Sequence, residues 1–220
     1  MRPLSLLEAR VLGVLVEKAH TVPDSYPLSL NALTLGCNQK TARDPVLAAS
    51  EGEVQAAADA LKQLSLAFES SGSRVSRYEH NLGRALGLPS QSVALLAVLM
   101  LRGPQTVSEL RANSERLHRF ADLSAVEGLL DELAARPEDK GGPLTARLAR
   151  APGSREARWA QLLTGPVSAA SLATAADGED FVAVSELAAL KARLAAAEAE
   201  ITALRSLVDR VCAELDISRT

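Results

Sequence analysis

Apolar residues recur at helical spacing from the start of the chain. Leu7, Val11, Val14 and Leu15 share one face, which predicts a helix to about Ala19. Ser5-Leu-Leu-Glu8 precedes it as a capping box, in which a hydroxyl accepts from the amide three residues on and the glutamate reaches back. Pro23 and Pro27 break the pattern. Leu28 to Gly36 reads as a short second helix, and Cys37 to Pro45 as a polar loop rich in turn formers. Ser50-Glu-Gly-Glu53 is a second capping box, and Val54, Ala57, Ala58, Leu61 and Leu64 behind it line one face of a third helix. Leu66 to Glu69 then leads through Ser70–Ser73 into Arg74–His80, a β-hairpin with Gly-Ser at its turn.

The same order follows again. Ser90 opens a very apolar helix to Arg102, whose segment Leu96–Arg102 aligns with Leu12–Lys18. Thr106-Val-Ser-Glu109 is a third capping box, opening a helix to about Phe120. Ser124-Ala-Val-Glu127 is a fourth, backed by Val126, Leu129, Leu130 and Leu133. After Lys140-Gly-Gly-Pro143, a strand over Leu144–Ala149 pairs with a return over Arg155–Leu162. Gly-Ser-Arg-Val-Ser-Arg-Tyr at 72–78 and Gly-Ser-Arg-Glu-Ala-Arg-Trp at 153–159 lie 81 positions apart, and Leu82 finds Leu163 at the same offset. Two runs of helix–helix–helix–hairpin predict a mainly α fold with small β-hairpins (α+β): tandem winged-helix domains over 1–85 and 86–165. In that fold the third helix is the recognition helix and the hairpin the wing.

Beyond it, 166–181 is rich in Ala, Ser, Gly and Asp and reads as a flexible linker. A heptad stripe occupies 182–217: Leu187, Leu194, Ile201, Val208 and Leu215 at a, with Leu190, Ala197, Leu204 and Val211 at d. Arg193 opposite Glu198, and Glu200 opposite Arg205, suit a parallel homodimer. The alternative is an amphipathic helix laid back on its own body.

Composition narrows the function. Hydrophobic residues make up 47 % and aromatics 3 %, so Leu, Val and Ala must build the core of this 220-residue chain. The formal net charge of −3 excludes a globally basic nucleic-acid coat. Residues 1–85 are neutral, 86–165 carry one net positive charge and 166–220 four negative ones. Cys37 and Cys212 form neither a disulfide framework nor a metal knuckle. The N-terminus lacks a signal-peptide layout, and the longest apolar run, Val93–Leu101, is too short to span a bilayer. These features predict a cytoplasmic protein without a cofactor, metal or membrane partner. His20, His80 and His118 are scattered and no phosphate-cradling glycine loop is present, so the chain reads as non-enzymatic. Cys37 with His20 reads as a core thiol rather than a nucleophile pair.

Several stretches then combine into a family likeness: Leu-Glu-Ala-Arg-Val at 7–11, Ser-Tyr-Pro-Leu-Ser-Leu-Asn at 25–31, Cys-Asn-Gln-Lys-Thr-Ala-Arg-Asp-Pro-Val at 37–46, Ser-Glu-Gly-Glu-Val-Gln at 50–55 and the second Arg-x-x-Arg-aromatic run. Over residues 4–165 the chain resembles the YceH family of uncharacterised bacterial proteins. The resemblance implies tandem winged-helix domains with a coiled-coil-like tail. It implies no established activity and no catalytic residues.

The residues that can meet a nucleic acid are the wing arginines Arg74, Arg77, Arg155 and Arg158, with Arg147 and Arg150 on the neighbouring strand and Lys40 and Arg43 before the third helix. Arg77 and Arg158 can equally pair with nearby carboxylates or lie on Tyr78 and Trp159. Asn38, Gln39 and Thr41 read as loop and helix-end caps. The third helices argue against base reading: Glu51, Glu53, Asp59, Glu127, Asp131 and Glu132 populate them, against Gln55, Lys62 and Gln63. The expectation is therefore a dimeric, wing-gripping, DNA-associated protein with double-stranded DNA as partner. The other reading is a scaffold whose winged helices dock protein.

Overall fold

The computed structural model describes residues 1–70, 75–150 and 156–166. Arg74 and Arg155, expected at the wing tips, the expected linker beyond Pro166 and all the heptad positions lie outside these. The described residues belong to one compact unit. It is a mixed α/β structure with small antiparallel sheets.

Helix α1 (Leu6–Thr21) starts where its capping box places it, and Glu8 also receives Arg2 at 2.6 Å. From Ala9 to Val16 it is buried all round, the signature of a helix at the centre of a body rather than on its surface. Strand β1 (Leu28–Ser29) and helix α2 (Leu30–Cys37) follow, with Ser29 as the helix cap. The two residues expected to open the second helix thus serve a sheet: Leu28 pairs with Tyr78. Helix α3 (Glu51–Gln63) begins at the second capping box. Strands β2 (Ala67–Ser70) and β3 (Arg77–His80) form the hairpin, and the sheet order is β1-β3-β2. Helix α4 (Leu82–Leu86), not foreseen, closes this run against Gly87, whose φ of 64° suits a residue without a Cβ.

Helix α5 (Ser90–Arg102) has the predicted bounds. Helix α6 (Val107–Ser114) carries the third capping box but ends short of Phe120. The buried Ser114 hydroxyl returns to the Leu110 carbonyl, while the Ser114 carbonyl takes the amides of both Leu117 and His118. Helix α7 (Leu123–Ala134) corrects the fourth capping box. Asp122, not Ser124, is the cap and accepts from the Ala125 amide; Ser124 donates its hydroxyl to Asp122 instead. Strands β4 (Thr145–Arg147) and β5 (Trp159–Gln161) complete the second run.

The recurrence holds in register as well as order. Tyr78 and Trp159, 81 positions apart, are both buried, at 1 % and 2 % exposure. Trp159 exchanges two backbone hydrogen bonds with Gln105, as β3 pairs with β1 through Tyr78 and Leu28. Arg77 reaches the Pro27 carbonyl and Arg158 the Pro104 carbonyl, each at 2.9 Å.

The two runs are fused through α5. Leu96, Ala97, Met100 and Leu101 join the large core built on α1, α2 and α3. Leu95, Val98 and Leu99 join the second core with Leu110, Phe120, Val126, Leu130 and Trp159. A Cβ on Gly13 would stand 3.0 Å from Leu101, so the glycine permits the close approach of α1 to α5. The N-terminus adds a clasp: the Leu4 amide donates to the Leu163 carbonyl at 2.8 Å.

Candidate nucleic-acid interface

The polar loop between α2 and α3 is held from beneath. Arg43, expected to contact phosphate, points inward, with its side chain at 0 % exposure. It grips both oxygens of Glu17 (3.1 and 2.6 Å) and donates Nε–H to the Gly36 carbonyl. Burial pushes Glu17 up, but the Arg43 hydrogen bonds and charge outweigh it and hold the carboxyl below its ordinary value. That corrects the role assigned to Arg43: a buried guanidinium with a bidentate carboxylate has no donor left for a duplex. Arg10 is buried beside it and donates to the Cys37 and Pro45 carbonyls. Asn38 bonds Ala49 through both its amide atoms, and Gln39 donates to Thr41. Lys40 is the one residue of the expected pair that stays exposed. Cys37 is fully buried and its thiol is pushed up to about 12, chiefly by that burial.

Helix α3 spends its base-capable side chains on its own fold. Gln55 accepts from the Tyr78 hydroxyl and donates to Asp59. Lys62 is bonded to Asp59 and Glu69 and pushed up by both. Exposed Glu51, Glu53 and Gln63 remain, of which Glu53 serves the capping box.

The second run is different. Val107 and Ser108 at the start of α6, Leu123 and Glu127 on α7, Arg147, Leu148 and Arg150, and Glu156 and Ala157 before β5 line a cleft of about 580 Å³. A second depression, of about 770 Å³, shares Ser108 and Leu123 and adds Arg111, Glu115 and Arg119. Together they make one groove across the first turns of α6 and α7, where orphan amide donors and the helix dipoles favour anions. Arg147 lies 5.9 Å above the Trp159 ring and 3.4 Å from Glu127, with more than half its side chain in solvent. Arg150 is exposed, and Arg119 is 83 % exposed with only a 3.4 Å contact to Glu115. Arg158 is committed to Glu109 at 2.9 Å and to Pro104. Arg111 and Arg119 escaped the sequence reading because they sit in what scanned as a continuous second helix. Arg111 lies inside α6 and donates to the Ala121 carbonyl at 3.1 Å, and Arg119 follows the early stop at Ser114.

Among the described residues, no group of three His, Cys, Asp or Glu is placed to hold a metal, and no helix is long and apolar enough to cross a membrane.

Fold and groove define a class: a mixed α/β protein in which the order helix–helix–helix–hairpin occurs twice and in which exposed arginines line a groove of the second run. The chain belongs to the family described as protein of unknown function, DUF480, whose model matches residues 4–154. A UPF0502 protein of Methylibium petroleiphilum is 65 % identical over 203 residues, covering 91 % of this chain and 85 % of that one. UPF0502 proteins of Paraburkholderia phytofirmans and Burkholderia vietnamiensis are 60 % and 59 % identical, each over 99 % of this chain and 91 % of theirs.

Proposed function

We propose that the protein is a non-enzymatic tandem winged-helix protein that grips duplex DNA by its phosphates through the second winged helix. The observation that carries the reading is the groove in which Arg147 and Arg150 of the wing face the first turns of α6 and α7, with Arg111 and Arg119 continuing it. Phosphate contacts of this kind position a protein without reading bases. The first winged helix serves as a rigid support, since the polar side chains of α3 are used internally. Arg74 and Arg155 at the two wing tips extend the same set, and the heptad residues 187–215 pair two bodies into a homodimer.

The test is fluorescence anisotropy of a labelled random duplex across a salt series. Three or four phosphate contacts give a slope of log K against log salt of about −3 to −4. An Arg147→Ala/Arg150→Ala variant should weaken binding and make the slope shallower by about two. A wild-type protein that leaves the duplex free at low salt refutes the reading.

One observation favours docking of protein instead. Leu123 is 44 % exposed at the centre of the groove, where an apolar anchor suits a peptide better than a phosphate. A stoichiometric protein partner retained after nuclease treatment, and lost in Leu123→Ser, would support that alternative.

A further inference from the structure

The start of α5 differs from that of the other long helices. Ser5, Ser29, Ser50, Thr106 and Asp122 each lend a side-chain oxygen to the helix that follows, but Pro89 before α5 has none to lend. The Val93 amide is the first to close on α5, at the Pro89 carbonyl. The amides of Ser90, Gln91 and Ser92 have no partner among the described residues. Ser92 adds a further donor: the residue is 3 % exposed, and its hydroxyl makes no hydrogen bond among the described residues. Buried hydroxyls are normally paired, so this one marks a place for a polar partner. Ser92 lines a cavity of about 740 Å³ between the start of α5 and the end of α7. Arg136 ties the two sides together, donating to the Leu86 carbonyl at 2.6 Å and to the Lys140 carbonyl at 2.8 Å.

The cavity carries both signs of charge. Its charged lining residues are Glu132, Asp139, Arg136 and Lys140, and the side chains of Glu132, Asp139 and Lys140 have no partner among the described residues. The helix ends are opposed in the same way: α5 presents its positive end and α7 its negative end. Neither a plain anion nor a plain cation is matched by such a lining, whereas a zwitterion is. Leu86, Leu88 and Leu133 add an apolar wall. We propose that this cavity binds a free α-amino acid with an aliphatic side chain. Its carboxylate accepts from the Ser92 hydroxyl and the open amides of α5, which form charge-assisted hydrogen bonds. Its ammonium faces Glu132 and Asp139, and its side chain lies against the three leucines. No residue of the cavity lines the groove, so the two sites are independent.

The experiment is thermal unfolding of the full chain with free valine, leucine or methionine. Two fragments of leucine serve as controls: isocaproate, which lacks the amine, and isoamylamine, which lacks the carboxylate. At about ten times the dissociation constant the fitting amino acid raises the melting temperature by about 3–6 °C, and neither fragment at that concentration matches it. Ser92→Ala should melt near the wild type without ligand and bind the amino acid at least about tenfold more weakly. Glu132→Gln, at an exposed position, should also weaken the amino acid while leaving isocaproate unaffected, and serves in its place if Ser92→Ala does not fold. Arg147→Ala/Arg150→Ala should retain the whole increment, so failure of the groove and failure of the cavity are separate results. An isocaproate increment equal to that of leucine overturns the amino-acid assignment in favour of a plain anion. No increment with any of the amino acids, or an equal one in Ser92→Ala and Glu132→Gln, overturns the proposal.

Discussion

Arg43 offers the sharpest separation between a residue that holds the fold and one that meets a partner. Its guanidinium is sealed from solvent, its Glu17 partner is 16 % exposed, and the 2.6 and 3.1 Å contacts are bidentate. Arg43→Ala leaves a partly buried carboxylate without its counter-ion and strips the Gly36 carbonyl of a donor. Breaking a buried pair from one side costs about 3–5 kcal/mol; with Glu17 not fully buried and Lys18 still at 3.4 Å, about 3 kcal/mol is expected. Arg43→Lys keeps the charge but loses the fork, and should still cost about 2 kcal/mol. Urea unfolding followed by circular dichroism measures both, and a double-mutant cycle with Glu17→Gln should return a coupling of at least about 1 kcal/mol. The pH dependence has a defined sign. Glu17 titrates below its unfolded value, so its contribution is present above about pH 4.5 and is lost as pH falls through the lower folded value. Duplex affinity should be unchanged in Arg43→Lys, and an Arg43→Lys protein as stable as the wild type would refute the buried-pair reasoning.

Glycine positions separate close contact from open helix surface. A Cβ on Gly36 would lie 2.6 Å from Cγ1 of the fully buried Val14, so Gly36→Ala should destabilise by about 1–3 kcal/mol. Gly128→Ala in α7 meets nothing within 4 Å and should stabilise by about 0.5–1 kcal/mol, both read from urea midpoints. His80, with an unpartnered buried Nδ1, is pushed down to about 4 by burial and by the charge of His20. The unfolded chain therefore takes up a proton first, and stability should fall by up to about 3 kcal/mol between pH 6.5 and 4. His80→Gln should lack that component, and parallel pH profiles for the two proteins would exclude it. A chain cut after Gly165 should sediment as a monomer if residues 187–215 pair, and an unchanged mass per particle would exclude that pairing.

What was legible in the chain was local. Ser5, Ser50 and Thr106 start their helices where the capping-box spacing says, because a hydroxyl and a glutamate three residues on satisfy two amides without tertiary help. Ser124 carries the same spacing and fails, because Asp122 two residues earlier accepts from the Ala125 amide and takes the cap. The spacing names a pattern but not its phase when two good caps compete. Helix α4 was missed because its five residues carry no periodicity and the Asn81 side chain, which donates to the Ser65 carbonyl, does not cap it. Arg43 was misplaced for a different reason: Glu17 is 26 residues away, and only the packing of α1 beneath the loop turns an arginine from a surface charge into a buried one.

The comparison between the two runs of the chain carries the functional argument furthest. Both bury an aromatic residue on the returning strand and send the arginine before it to a proline carbonyl, so Arg77 and Arg158 are parts of the framework common to both. What differs is the fate of the remaining polar groups. In the first run, Arg43, Gln55 and Lys62 close on Glu17, Asp59, Tyr78 and Glu69, and the surface of α3 is left with carboxylates. In the second, Arg147 and Arg119 meet carboxylates only at 3.4 Å, Arg147 lies over the Trp159 ring, and Arg150 stays exposed. Exposed pairs at that distance contribute little to stability, so these arginines are free to exchange their carboxylates for phosphates at small cost. Opposite uses of one framework let a near-neutral body, without the basic surplus of a protein coating DNA, still place exposed arginines along one groove. They also set the order of mutagenesis: changes in the first run should register as stability, and changes at Arg147 and Arg150 as affinity.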